Sequence, residues 1–216
     1  MLVIAHRGYH AEAPENTLAS FEAAIALGVD GIETDIRLSA DGLLVLYHDR
    51  VTPDGRRVSN VTRQELESQA GHAVPTLDQA LERFPQPLWL LEIKAPEALD
   101  RTLEIARKYA GSRRLMIISF WHNVVQAALE QSENECGLLI CHRPSHSPPT
   151  LSDGTARNRS VAIVWNYEFM DAAGLERVRA EGRRNFVYGV FTEHEHAECR
   201  RLALDGVITD HPHYLL

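Results

Sequence analysis

The chain has 216 residues, with 22 basic and 30 acidic side chains, a formal net charge of -8 and 44% apolar residues. That size and apolar fraction suit a single domain over residues 1–216 with a sizeable core, and exclude a disordered chain. The acidic balance, with basic residues only in isolated doublets such as Arg56 and Arg57, excludes a surface that tracks nucleic acid.

Leu2–Ala5 reads as a strand. Asn16 or Thr17 can cap a helix through Leu27, with Leu18, Phe21 and Ile25 on one face, and Gly28 stops it. Gly31–Leu38 and Leu43–Tyr47 flank Asp41-Gly42, a strong hairpin signal because Gly takes positive φ without steric cost. With Asp41 and Gly42 as the two turn residues, Ala40 faces Leu43 and Asp35 faces His48. Glu33, Asp35 and His48 then share one face, and a slip of one residue would send His48 to the other. Residues 53–60 are loop-like, Arg63–Ser68 suits a short helix, and Thr76 can cap a helix ending at Phe84.

Strand and helix then alternate. Strands are expected at Leu88–Ile93, Leu115–Ser119, Cys136–Ile140, Val161–Trp165, Phe186–Phe191 and Gly206–Ile208. Helices are expected at Ala98–Tyr109, Asn123–Glu130, Ala172–Glu181 and Glu195–Leu204, with a Pro- and Ser-rich loop over 143–154. Setting aside the second hairpin strand, eight strands mostly separated by helices predict an α/β fold. The expected form is a compact (β/α)₈ TIM barrel with a β-hairpin extension after the second strand. A doubly wound open sheet is the competing fold, but no Gly-x-Gly-x-x-Gly follows the first strand.

The polar residues fall at strand ends. His6 ends the first strand, Glu33 and Asp35 lie late in the second, and Glu92 and Lys94 end the third. Ser119 ends the fourth, Thr192 the seventh, and Thr209 and Asp210 the eighth. Barrel enzymes keep their chemistry at that C-terminal rim. Strands of a parallel barrel are buried on both faces, so the Glu33 and Asp35 carboxylates need a counter-charge. A divalent cation supplies one, and Glu92 adds a third oxygen donor; with no nearby Cys, this favours Mg²⁺ or Ca²⁺. The plain alternative for Glu92 and Lys94 is a mutual ion pair. His6 and His48 beside a metal become a candidate general acid and base, while Arg7 and Gly8 suit an anion. The remaining histidines, His10 and His196 among them, lie mostly in polar, loop-like surroundings, and most of the set is expected at the surface.

The strings Ala5-His6-Arg7-Gly8, Ala13-Pro14-Glu15-Asn16-Thr17, Ile32-Glu33-Thr34-Asp35, Asp41-Gly42 and His48-Asp49 run in one order. Leu91-Glu92-Ile93-Lys94, Ser119-Phe120 and Asp205-Gly206-Val207-Ile208-Thr209-Asp210 continue that order. Together they resemble the glycerophosphodiester phosphodiesterase family from end to end. The resemblance implies a phospholipase C-like barrel and one divalent metal on Glu33, Asp35 and Glu92. It makes His6 and His48 the acid–base pair and has Arg7 and Lys94 hold the phosphate. The implied reaction cleaves a small-molecule glycerophosphodiester to glycerol 3-phosphate and an alcohol. The chain departs from the family pattern at Phe191-Thr192-Glu193-His194 and over residues 50–60.

An enolase-type lyase would also use strand-end carboxylates with a lysine, but does not call for two histidines. A non-catalytic phosphate-binding protein would not call for a full acid, base and ligand set. Cys136, Cys141 and Cys199 form no disulfide framework, which fits a reducing compartment. The short apolar run Leu2 to Ala5 carries no leader or membrane span, so a cytoplasmic location without stable membrane insertion is expected. No partner surface or oligomeric state is legible.

Overall fold

The computed structural model describes residues 1–143 and 161–216. Its strands are β1 (Leu2–His6), β2 (Gly31–Leu38), β3 (Leu44–Leu46), β4 (Leu88–Ile93), β5 (Arg114–Ser119), β6 (Glu135–Ile140), β7 (Ala162–Asn166), β8 (Asn185–Tyr188) and β9 (Gly206–Thr209). The α-helices are α1 (Leu18–Leu27), α2 (Arg63–Ala70), α3 (Leu77–Arg83), α4 (Leu99–Lys108), α5 (His122–Gln131), α6 (Ala172–Ala180) and α7 (Glu193–Arg201). The sheet runs β1-β9-β8-β7-β6-β5-β4-β2-β3, and β1 also pairs with β2. Every pairing but β2–β3 is parallel, so eight strands close into a barrel and β3 hangs from its edge as the hairpin arm. This is the expected TIM barrel. Past Arg143, the loop expected over 143–154 lies outside the described residues, as does His146.

Alternation along the strands divides the core. Ile4, Leu90, Met116, Ile118, Val164, Phe186 and Ile208 fill the barrel interior. Ile32, Ile36, Trp89, Leu91, Ile117 and Val207 point outward into the helix layer. Continuing the interior rows toward the C-terminal ends leads from Ile4 to His6 and from Leu90 to Glu92, while β2 contributes Glu33 and Asp35. The register sets His6 beside Glu33 and Asp35 beside Glu92. The top layer of the interior is therefore polar because of where each strand stops.

Local signals explain the boundaries. Thr17, Thr62, Thr76 and Thr192 each cap a helix through a reciprocal capping box, closed by Ser20, Glu65, Gln79 and Glu195 respectively. The capping box at Thr192 starts α7 earlier than the sequence suggests. β8 is shorter than the Phe186–Phe191 expectation, ending before Gly189, whose φ of 71° no strand residue adopts.

The hairpin corrects one expectation. Ile36 pairs with Leu46, Arg37 with Val45 and Leu38 with Leu44, one residue away from the register of a two-residue turn. Ser39 N–H donates to Leu43 O at 3.0 Å, leaving Ala40, Asp41 and Gly42 as a three-residue loop with Gly42 at φ 74°. A three-residue loop ending in a left-handed Gly is the next most common hairpin geometry. Tyr47, not His48, stands opposite Asp35, its N–H donating to the Asp35 carbonyl at 3.0 Å.

All three cysteines are free, Cys136 and Cys199 buried and Cys141 exposed. Among the described residues no helix is long and apolar enough to cross a membrane.

Candidate active site

The chain turns sharply after β1. Arg7 and Gly8 both take left-handed backbone, at φ 56° and 80°. A Cβ at Gly8 would lie 2.4 Å from Ser20 Oγ, so no side chain fits there. Ser20 Oγ donates to the Arg7 carbonyl at 3.0 Å, and Asn16 N–H donates to the same carbonyl at 2.9 Å. The start of α1 thus clamps the turn that carries His6 and Arg7. Asn16, also left-handed at φ 56°, is released from capping by Thr17 and reaches into the barrel mouth instead. Its Nδ2 donates to Asp35 Oδ2 at 2.8 Å, and its Oδ1 accepts from Thr34 Oγ1 at 2.7 Å.

Glu33, Asp35 and Glu92 are buried, and one carboxylate oxygen of each lies within 4.8 Å of the other two. Lys94 Nζ sits 2.8 Å from Glu92 Oε1 and 3.2 Å from Asp35 Oδ1. Arg7 Nε lies 3.2 Å from Asp35 Oδ2, while its Nη1 donates to Glu15 at 2.8 Å. Two cations, one of them shared, face three buried carboxylates. Burial, with Asp35 and Glu92 adding to it, pushes the Glu33 carboxyl well above its usual range. Burial raises Glu92 too, against the pull of Lys94. For Asp35 burial also acts upward, but Lys94, Arg7 and His48 outweigh it and hold the group low. Among the described residues the buried Glu33 Oε1 accepts no hydrogen bond, and the buried Asp35 Oδ1 is met only by the Lys94 ammonium at 3.2 Å. Unsatisfied buried carboxylate oxygens are costly unless a cation meets them. The residues fit a divalent cation: the donors are all oxygen, mutually close, and carry the charge that Arg7 and Lys94 leave unbalanced.

The imidazoles are held from behind. Asp210 Oδ1 lies 2.6 Å from His6 Nδ1 and 2.8 Å from His10 Nε2. Although burial works against it, hydrogen bonds from His10 and His6 keep Asp210 far below the usual carboxylate range. An ionised carboxylate only accepts, so both ring nitrogens donate to it and His6 is left with its Nε2 facing the cleft. That Nε2 accepts from Arg7 Nε at 3.1 Å and lies 3.8 Å from Glu33 Oε2.

His48 arrives by another route. Strand pairing ends at Leu46, and the chain then swings toward the barrel. The His48 carbonyl accepts from Arg37 Nε and Nη2 at 2.9 and 2.7 Å, and its Nδ1 lies 2.9 Å from Asp49 Oδ1. His6, Arg7, Glu33, His48, Glu92 and Lys94 together form the polar half of a cavity of about 210 Å³. Its other half is apolar, with Ile118, Phe120, Leu139, Tyr188 and Ile208. All the sequence-predicted site residues are therefore brought together; Asp35 lies behind the cavity wall in the carboxylate cluster.

Other rim positions serve the fold. Ser119 Oγ donates to Ile93 O at 2.6 Å, Thr192 caps α7, and Thr209 Oγ1 partners His196 at 2.7 Å. His196 is fully buried and His10 half-buried on Asp210, two exceptions to the surface placement expected for most of these histidines. Asn16, His10, Arg37 and Asp210 are contributors that sequence reasoning left out. Only Asp210 carried a local signal, following the last strand at the rim.

The sequence profile of the glycerophosphoryl diester phosphodiesterase family matches residues 6–214. A glycerophosphodiester phosphodiesterase from Caldanaerobacter subterraneus subsp. tengcongensis is 32% identical, the alignment covering 64% of this chain and 68% of that protein. The crystal structure of a glycerophosphodiester phosphodiesterase from Thermotoga maritima superposes with a TM-score of 0.82 at 27% identity, covering 100% of this chain and 96% of the other. An Oleispira antarctica phosphodiesterase, solved with the product sn-glycerol-3-phosphate, shares the fold at a TM-score of 0.83 and 23% identity, over 98% and 94% of the two chains.

Proposed function

The chain belongs to the glycerophosphoryl diester phosphodiesterase family, and from that membership we propose that it hydrolyses a small glycerophosphodiester to glycerol 3-phosphate and an alcohol. The observation that carries this reading is the convergence of Glu33, Asp35 and Glu92 beside His6, His48, Arg7 and Lys94 at one mouth. Residues 1–216 are read as one catalytic domain. The proposed setting is the cytoplasm, with no nucleic-acid partner.

One divalent cation, Mg²⁺ or Ca²⁺, held by Glu33, Asp35 and Glu92, would offset the phosphodiester charge and polarise a phosphoryl oxygen. Arg7 and Lys94 orient the phosphate through charge-assisted hydrogen bonds. His6, pinned through Nδ1 by Asp210, offers Nε2 to a proton; His48, pinned through Nδ1 by Asp49, leaves its own Nε2 free. One imidazole takes the proton of the attacking oxygen, whether of water or of the glycerol 2-hydroxyl. The other returns a proton to the departing alkoxide, and the pair exchange roles if a cyclic phosphate intervenes. The Asp210 carboxylate, 2.6 Å from His6 Nδ1, holds the ring in the orientation that turns Nε2 to the cleft.

A coupled assay for glycerol 3-phosphate tests the reading, using glycerophosphocholine, glycerophosphoethanolamine and glycerophosphoglycerol with Mg²⁺ or Ca²⁺. Turnover of at least one supports it. Absence of release from all three, in protein that is folded and cation-loaded, rejects it.

A further inference from the structure

A second cavity, of about 540 Å³, adjoins the cleft and shares Lys94 with it. It opens at the same rim, walled by the end of β2, the segment after β3, and the loops after β4 and β5. Arg37, Arg50 and Arg57 line it together with Trp121, and among the described residues Glu97 is its one acidic lining residue. Arg50 and Arg57 are exposed, and among the described residues neither forms an ion pair. Arg37 spends Nε and Nη2 on the His48 carbonyl and, among the described residues, forms no ion pair with a carboxylate. Lys94 is already engaged by Asp35 and Glu92. Three guanidiniums against one carboxylate leave this cavity with surplus positive charge beside an otherwise carboxylate-rich site.

A phosphodiester places its two organic groups on opposite sides of phosphorus. The two cavities meet at Lys94, so a phosphate held there has room for one organic group in each. Guanidinium forks match phosphate oxygens in pairs, which ammonium or neutral donors do not. We propose that this cavity is the alcohol subsite and that it selects alcohols bearing a phosphate group, with Arg50 and Arg57 as the specificity-determining residues. The proposal rests on the hydrolase reading above.

The test compares kcat/KM for glycerophosphoglycerol and for its counterpart phosphorylated on the departing glycerol, which differ by that one group. The wild-type protein is expected to favour the phosphorylated diester about tenfold or more, mainly through KM. Raising the salt should shrink that preference. In the Arg50→Gln, Arg57→Gln double variant the ratio should fall close to one, while Arg50→Lys, Arg57→Lys should keep part of it. Equal kcat/KM for the two diesters in the wild type would overturn the proposal, as would a preference that survives the double Gln variant. Hydrolysis of neither diester, with Mg²⁺ or Ca²⁺ present, would instead remove the hydrolase reading and this subsite with it.

Discussion

The carbonyl oxygen of His48 accepts two hydrogen bonds from Arg37, from Nε at 2.9 Å and Nη2 at 2.7 Å. Arg37 stands on β2 two residues beyond Asp35, so the strand that supplies two of the carboxylates also holds His48. This fork does what the hairpin register does not: strand alternation would carry residue 48 away from the barrel interior. Arg37→Gln should therefore leave His48 loosely placed and lower kcat by about 10–100-fold, with KM changed less. Steady-state kinetics check this, and an unchanged kcat would deny Arg37 its positioning role.

His6→Asn and His48→Asn should each lower kcat by about 10²–10⁴-fold, the range for a lost proton-transfer group. The far-ultraviolet circular dichroism should match wild type, because both side chains lie at the rim and neither packs in the core. Asp210→Asn should act through His6, because an amide can donate to His6 Nδ1 and so favour the wrong tautomer. Its kcat should fall, and its unfolding midpoint near neutral pH should fall too, because the hydrogen bonds that hold the Asp210 carboxylate low stabilise the folded state. Near-normal turnover in either histidine variant would strike that residue from the mechanism.

Glu33→Gln should weaken divalent cation binding by removing a charge from the three-carboxylate set. It should also make the cation-free protein more stable near neutral pH. Burial and the Asp35 and Glu92 charges raise the Glu33 pKa, so the folded state holds a proton that the unfolded state releases. Stability from that proton is present below the ordinary carboxylate value and is lost as pH rises through the raised one. Calorimetric titration with Mg²⁺ or Ca²⁺ and thermal unfolding in EDTA supply the two readings. A variant that binds the cation as tightly as wild type would remove Glu33 from the ligand set.

His196 gives a second pH dependence, away from the cleft. Burial lowers its pKa, and the neutral ring bridges Thr192 O at 2.6 Å and Thr209 Oγ1 at 2.7 Å. Below its ordinary pKa of about 6.5 the unfolded chain binds a proton that the folded ring refuses, so stability falls as pH drops. His10 acts in the opposite sense. Its hydrogen bond to Asp210 raises its pKa, so its contribution is lost as pH rises. Comparing urea midpoints of wild type and His196→Gln between pH 5.5 and 7.5 isolates the first effect. The variant should lose less stability on acidification; an identical loss would contradict the assignment.

The barrel and most of the site could be read from the chain because the relevant signals are local. Strand-end polarity at His6, Glu33, Asp35, Glu92 and Lys94 follows from two-residue alternation, and Thr76 and Gly28 announce helix ends on their own. The hairpin register could not be read so well. Asp41-Gly42 allows both a two- and a three-residue loop, and Ser39 Oγ, bonded to Asp41 Oδ1 at 2.6 Å, belongs to the longer one. His48 reaches the site through Arg37, a contact that no strand pattern encodes. Asp210 meets His6 across 204 positions of sequence, a pairing that only barrel closure creates. His10 and Asn16 lie in a turn with two left-handed residues other than glycine, Arg7 and Asn16; asparagine takes that backbone readily, but nothing about an arginine announces it.

The most direct measurement is release of glycerol 3-phosphate from glycerophosphoglycerol by protein stripped of divalent cations, before and after Mg²⁺ or Ca²⁺ is returned. The arrangement of Glu33, Asp35 and Glu92 predicts no release from the stripped protein and recovery on adding one of the two ions. Full activity in the stripped protein, or none after either ion is restored, would contradict it.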